Sequence, residues 1–155
     1  MKLSPEYHQA QESMKPGAIT ALGFLGNDHR NISDIIEADE ELMAQLGISF
    51  EILVSRLKEL MTEGKKGLGE PVTVSNTWLV RVDETRGTLP SPFPEDGIWH
   101  KVNAEVNLLI HGENSGKILL YNDLCIHLIE KHHFFQGIGS PFRMNPIQAK
   151  EVLCL

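Results

Sequence analysis

The residues best suited to chemistry lie together in one short stretch, residues 122–143, NDLCIHLIEKHHFFQGIGSPFR. It holds three of the seven histidines, together with Asp123, Glu130 and Arg143. Imidazole and carboxylate groups ligate divalent metal ions or move protons in general acid–base catalysis. This stretch is therefore the first place to look for a functional site.

Three of these residues, Asp123, His127 and Glu130, share one narrow face of a predicted helix, because successive helical residues are about 100° apart. The pattern D-x-x-x-H-x-x-E supplies oxygen and nitrogen ligands for a divalent ion such as zinc, with His133 as a further ligand. It also supplies a histidine that a carboxylate could orient as a general base. The same spacing is typical of an exposed helix face with ordinary i,i+3 and i,i+4 pairs. H-x-x-E-H is not matched, since Lys131 stands where its second histidine belongs.

The end of the stretch allows a different kind of binding. Backbone amides of residues 137–140, GIGS, and the guanidinium group of Arg143 could cradle an anion. The segment lacks the preceding strand and the G-K-[ST] of a P-loop, so a helix cap followed by a turn is the favoured explanation. His132 falls on the apolar side of the helix, which favours a hydrogen-bonded core residue over a metal ligand. We keep Arg143 with the helix-face residues as a predicted ligand-binding residue.

The N-terminal part of the chain is predicted to be helical. A helical hairpin joined by a tight turn also suits a helix-turn-helix DNA-binding unit, although its many acidic residues would repel phosphate. Residues 17–30 are apolar and glycine-rich and are predicted to cross the core as an extended segment. The predicted helices are residues 5–14 after a cap at Ser4, the helix from its cap Ser33 to Gly47, and the helix from its cap Ser49 to Gly64.

From residue 72 onward the pattern changes to the alternation of strands. Strands are predicted at residues 72–74, 78–84, 101–111 and 117–121, with loops at 87–97 and 112–116. A helix from residue 123 to about 135 and a last helix capped by Asn145 follow. The predicted class is α+β: an N-terminal helical hairpin, a small antiparallel sheet from Val72 to Tyr121 that contains a β-hairpin, and C-terminal helices on one sheet face. We expect the hairpin at a sheet edge, where a second copy of the chain could add to form a homo-oligomer.

Length and composition fit one globular domain over residues 1–155, with 41% hydrophobic residues. The net charge of −7 makes nucleic acid an unfavourable partner. Two cysteines, Cys125 and Cys154, do not form a disulfide framework. There is no signal-peptide pattern and no apolar stretch long enough for a membrane span, so we expect a soluble cytoplasmic protein.

Three functions are compatible with these residues. The favoured one is a non-catalytic domain that binds a small molecule or a protein partner in a pocket lined by the four predicted ligand residues. The second is a metal-dependent hydrolase in which His127, Glu130 and a distant histidine hold an ion that activates water. The third is a helix-turn-helix regulator. The first requires the fewest coincidences, and whether the protein is an enzyme stays open.

Overall fold

The computed structural model describes residues 5–15 and 23–155, which form an α+β fold as predicted. Helices from the N-terminal half and the C-terminal end pack around an antiparallel sheet. In chain order, the elements of the fold are α1 (Pro5–Met14), α2 (Ile32–Leu46), α3 (Phe50–Lys65), β1 (Val72–Val74), β2 (Trp78–Pro90), β3 (Ile98–Ile110), β4 (Glu113–Asn122), α4 (Asp123–His132) and α5 (Pro146–Leu153), with a 3₁₀ turn at Pro94–Asp96.

The sheet is an antiparallel meander in the order β1-β2-β3-β4. Alternate residues of the strands point into the core, and the opposite face carries rows such as Arg81, Glu105 and Leu120, which are in register. Of the hairpin predicted at a sheet edge, β4 does lie at an edge, whereas β3, the strand predicted at 101–111, pairs on both sides. A second copy could add to the sheet at β4 or at the opposite edge, which β1 and the uncovered part of β2 form. The buried inward residues are Trp78, Val80, Val82, Val102, Ala104, Val106, Leu108, Leu119 and Tyr121.

Helix α4 runs between two apolar clusters and is buried on both sides. Cys125 and Ile129 pack into the cluster formed with the sheet, α3 and α5. Leu124 and Leu128 pack into a second cluster with α1, α2 and Phe93. Only a narrow edge of the helix is left for polar groups, and His127 lies on that edge.

The predicted ends of α2 and α3 need correction. The N-cap of α2 is Asn31, whose side chain accepts a hydrogen bond from the Asp34 amide at 3.0 Å, while Ser33 is buried in the first turn. Ser49 caps α3 as predicted, accepting from the Ile52 amide at 3.1 Å. Gly64 does not stop this helix. Gly64 lies within the last turn of α3, which ends at Lys65. A Cβ on this residue would come within 2.6 Å of methyl carbons of the facing sheet residues, which explains why glycine is used here.

The hairpin strands are longer than the sequence suggests. After a bulge between Thr85 and Thr88, β2 continues into the predicted loop as far as Pro90, which pairs with Ile98. Proline is tolerated because this end of the hairpin is a two-stranded ribbon with no further neighbour in need of its missing N–H. The β3–β4 turn is also tight: residues 111 and 112 both have positive φ, the geometry of a two-residue hairpin turn, so the predicted loop at 112–116 is too long.

Helix α4 ends at His132 and not near Phe135. His133 adopts a left-handed conformation, φ 54°; its amide donates to the Ile129 carbonyl and the next amide, of Phe134, donates to the Leu128 carbonyl. Phe134 and Phe135 leave the helix for the two different apolar clusters. Two predictions concern residues that the structure does not describe: the Ser4 cap and residues 17–22 of the extended segment.

The cap of the last helix is confirmed, since Asn145 accepts from the Ile147 amide at 2.8 Å. None of the helices that the structure describes is both long enough and apolar enough to cross a bilayer.

Candidate functional site

Asp96 forms the centre of the most concentrated polar cluster in the described structure. Its side chain, at the end of the 3₁₀ turn between β2 and β3, has 0% exposure. Oδ1 accepts a hydrogen bond from Lys131 Nζ at 2.6 Å. Oδ2 accepts one from Ser91 Oγ at 3.1 Å and lies 2.8 Å from His132 Nε2 and 3.0 Å from His127 Nε2. Burial opposes ionisation, but the hydrogen bonds from Lys131 and His132 outweigh it and hold the pKa of Asp96 well below its usual range.

Aromatic neighbours hold both histidine rings beside this carboxylate. The His132 ring stacks on Phe93 with centroids 3.7 Å apart and planes 9° apart. The His127 ring lies against Trp99 at 4.5 Å between centroids. Residues five positions apart on a regular helix point about 140° away from each other. The two rings nevertheless approach to 6.1 Å between centroids, because both turn toward Asp96.

One of these contacts is incomplete. His127 Nε2 is within ion-pair distance of Asp96 Oδ2, yet it is a buried atom without a hydrogen bond, so its approach to the oxygen is off the hydrogen-bond line. The indole Nε1 of Trp99, the ring next to it, is also buried without a partner. Buried polar atoms are paired in the great majority of cases, so two neighbouring unpaired ones call for an explanation.

Asp96, His127 and His132 are also the group of possible metal ligands that converges among residues 5–15 and 23–155. One ligand atom from each lies within 4.8 Å of the other two. Of the residues predicted as metal ligands, His127 belongs to this group. Asp123, Glu130 and His133 do not.

Asp123, His127 and Glu130 do come together in a different way. With Lys58, Trp99 and Ile126 they line a cavity of about 170 Å³ between α3, α4 and β3. Glu130 forms an ion pair with Lys58 at 2.9 Å at its rim, where both side chains are about half exposed. The carboxylate of Asp123 has no hydrogen-bond or ion-pair partner among the described residues.

The other two predicted site residues lie elsewhere. His133 Nδ1 is 2.6 Å from Glu40 Oε2, and its ring stacks on Phe50 at 3.8 Å between centroids. Arg143 forms a two-bond ion pair with the buried carboxylate of Asp39 and also donates to the Gln136 carbonyl at 2.9 Å. The structure therefore brings together three of the four predicted ligand-binding residues and leaves Arg143 apart.

The glycine-rich segment at 137–140 packs against the backbone of the loop at residues 25–28. A Cβ at Gly137 would lie 2.4 Å from the Leu25 carbonyl oxygen, and one at Gly26 would lie 2.4 Å from backbone atoms of Gly139. The Ile138 amide donates to Asp28. These glycines permit the close approach of two loops. The predicted helix cap at Gly137 is wrong, because α4 is capped at His133, four residues earlier.

Three of the four basic side chains between residues 56 and 66 are paired with acids in the described part of the chain, and Lys65 is the exception. Arg56 lies 3.8 Å from Glu59, and Lys66 lies 2.9 Å from Glu63. Lys58 is occupied by Glu130, as described above. This pairing leaves little positive charge on the hairpin to attract phosphate and adds to the argument against DNA binding.

Asp96, Trp99 and His132 are the residues that the sequence analysis did not assign to the site. Asp96 and Trp99 lie in or beside a proline-rich segment that was predicted to be a loop, and His132 was placed in the core. Comparison of the chain with models of known protein families, with curated proteins and with solved structures finds no match. The functional argument therefore depends on the geometry of the site itself.

Proposed function

We propose that this protein is a non-catalytic binding domain for a small organic cation, held in the cavity between α3, α4 and β3. The observation that carries the proposal is the convergence of Asp123, His127 and Glu130 on that cavity together with Trp99. Its volume, about 170 Å³, is below the roughly 300–1,000 Å³ of sites that take drug-sized ligands, so the ligand is small.

The charges around the cavity favour a cation. Lys58 pairs with Glu130, while the Asp123 carboxylate has no hydrogen-bond or ion-pair partner among the described residues. The ring of Trp99 adds an aromatic surface, and indole is the best of the aromatic side chains at attracting ammonium groups. An ammonium group at Asp123 with its alkyl part on Trp99 would use both features.

The test is to titrate the protein separately with choline, ethanolamine, acetate and phosphate. Binding would be measured by calorimetry and by tryptophan fluorescence. We expect one of the two cations to bind and to perturb Trp99, and neither anion to do so. Asp123→Asn should weaken ethanolamine binding at least about tenfold, because its ammonium group would lose a charge-assisted hydrogen bond that contributes about 1.5–3 kcal/mol.

Asp34→Asn is the matched control, since Asp34 is also an acid in the first turn of a helix but is exposed and remote from the cavity. It should leave binding unchanged. Equal effects of the two substitutions, or binding of the anions and not of the cations, would overturn the proposal.

A further inference from the structure

We propose a second site beside this cavity: Asp96 Oδ2, His127 Nε2 and His132 Nε2 together bind one divalent first-row transition-metal ion. The site is independent of the organic-cation cavity except that His127 borders both. Neither Asp96 nor His132 lines that cavity.

The distances fit a shared ion. With metal–ligand bonds of about 2.0–2.1 Å, neighbouring ligand atoms of a tetrahedral or octahedral ion lie about 2.8–3.4 Å apart. Asp96 Oδ2 is 2.8 Å from His132 Nε2 and 3.0 Å from His127 Nε2. Small adjustments of the side chains would complete the coordination.

The incomplete contact of His127 has the same explanation. Two ligands of one ion direct their lone pairs at the ion and not at each other, so they can approach to about 3 Å without forming a good hydrogen bond. His127 Nε2 has this relation to the carboxylate: it is close to it, buried and without a hydrogen bond. A purely structural histidine at such a position would be expected to complete the bond.

The surroundings hold the ligands in place before any ion arrives. Stacking on Phe93 fixes the His132 ring, and a tilted contact with Trp99 holds the His127 ring. Lys131 binds the other carboxylate oxygen, Oδ1, and so orients Oδ2 toward the histidines, as the outer partners of ligating carboxylates do. Lys131 is 48% exposed, so its repulsion of the ion is weaker than that of a buried ammonium group.

The donor set determines the kind of ion. Two imidazole nitrogens and one carboxylate oxygen suit zinc, cobalt or iron, whereas magnesium and calcium prefer sites made of oxygen alone. The three side chains are only 0%, 19% and 10% exposed for Asp96, His127 and His132, so the ion would be largely shielded from bulk water. Three protein ligands leave at least one position open, as in catalytic metal sites.

The experiment is a calorimetric titration of the chelator-treated full chain with Zn²⁺ alone, with Co²⁺ and Mg²⁺ in parallel. We expect a single zinc ion per chain, a visible absorption spectrum from the cobalt-loaded protein, and no binding of magnesium. His132→Gln and Asp96→Asn should each weaken zinc binding at least about 100-fold, since even outer partners contribute about 10–100-fold.

The neighbouring histidine provides the matched control. His133→Gln removes the imidazole that pairs with Glu40 and should leave zinc binding unchanged. Failure of wild-type protein to bind zinc, or equal losses in His132→Gln and His133→Gln, would overturn the proposal. If Asp96→Asn does not fold, His132→Gln alone decides, with circular dichroism to verify its fold.

This outcome is separable from the first proposal. Asp123→Asn should weaken binding of the organic cation and leave zinc binding unchanged, while His132→Gln should weaken zinc binding and leave binding of the organic cation unchanged.

Discussion

Two buried carboxylates, Asp39 and Asp96, are both held by basic residues of the stretch 122–143, yet they are held differently. Asp39 receives the guanidinium of Arg143 through two hydrogen bonds, one to each carboxylate oxygen. Asp96 receives an ammonium group and two imidazoles, and one imidazole nitrogen stays without a hydrogen bond.

This difference distinguishes a carboxylate that stabilises the fold, Asp39, from one that can take part in binding a ligand, Asp96. A guanidinium is a rigid fork that matches a carboxylate, so the Asp39 pair has no open position for a ligand. Asp28 repeats this saturated arrangement: Arg30 donates to both of its oxygens, at 2.9 and 2.6 Å, and the Ile138 amide adds a third donor. At Asp96 two of the partners are imidazoles, which can ligate a metal ion, and one of their nitrogens has no hydrogen bond, so this carboxylate has room for an ion.

The largest effect that would test this contrast comes from Arg143→Met. Removing the guanidinium leaves Asp39 buried and unpaired, so we expect a loss of about 3–5 kcal/mol in the free energy of unfolding, measured with urea. Arg143→Lys should recover only part of it, because one ammonium cannot make the two parallel bonds.

Arg81→Met is the control for this substitution. Arg81 is 46% exposed and pairs with Asp83 and Glu105 on the open face of the sheet, so its loss should cost less than about 1 kcal/mol. If the two substitutions cost the same, the Asp39 pair is not structural and the contrast fails.

A smaller effect is expected at Asp28 in acid. The hydrogen bond from Arg30, above all, lowers the pKa of this carboxyl to about 2, against burial that would raise it. Because the folded-state pKa is lower than the unfolded one of about 3.9, its contribution is present above that value and is lost as the pH falls through about 2. The contribution is about 2 kcal/mol, and its side chain is only 4% exposed.

Urea denaturation of wild type and Asp28→Asn at about pH 6 and about pH 2 would measure it. The two proteins should differ at the higher pH and converge at the lower one. A difference that does not change with pH would show that the Asp28 charge contributes nothing.

Local periodicity explains why much of the fold could be predicted. The repeat from Phe50 to Met61 and the alternation from Val102 to Ile110 each reflect one buried face, so α3 and β3 were found. Gly64 and Pro90 were misread because their roles depend on distant neighbours. A glycine normally ends a helix, but here it lets α3 approach Val80 and Val82.

The same limit applies to the site. Asp123, His127 and Glu130 share a cavity because their spacing is helical, which a sequence reveals. Asp96 is 36 positions from His132, and the two meet only because Phe93 and Trp99 dock the β2–β3 ribbon onto α4. No pattern in one sequence encodes that docking, so a carboxylate in a proline-rich segment gave no signal.

The smallest expected change in the free energy of unfolding is that of His127→Phe. This substitution also tests the contrast between Asp39 and Asp96 most directly. Phenylalanine keeps the aromatic contact with Trp99 and removes a buried nitrogen that already lacks a hydrogen bond, so the free energy of unfolding should change by less than about 0.5 kcal/mol. His132→Phe, which removes the 2.8 Å contact to Asp96, should cost about 1.5–3 kcal/mol. Thermal melts of both variants without added metal would compare them. A His127→Phe loss as large as that of His132→Phe would mean that His127 is as fully bonded as Asp39, and the distinction between the saturated and the open carboxylate would disappear.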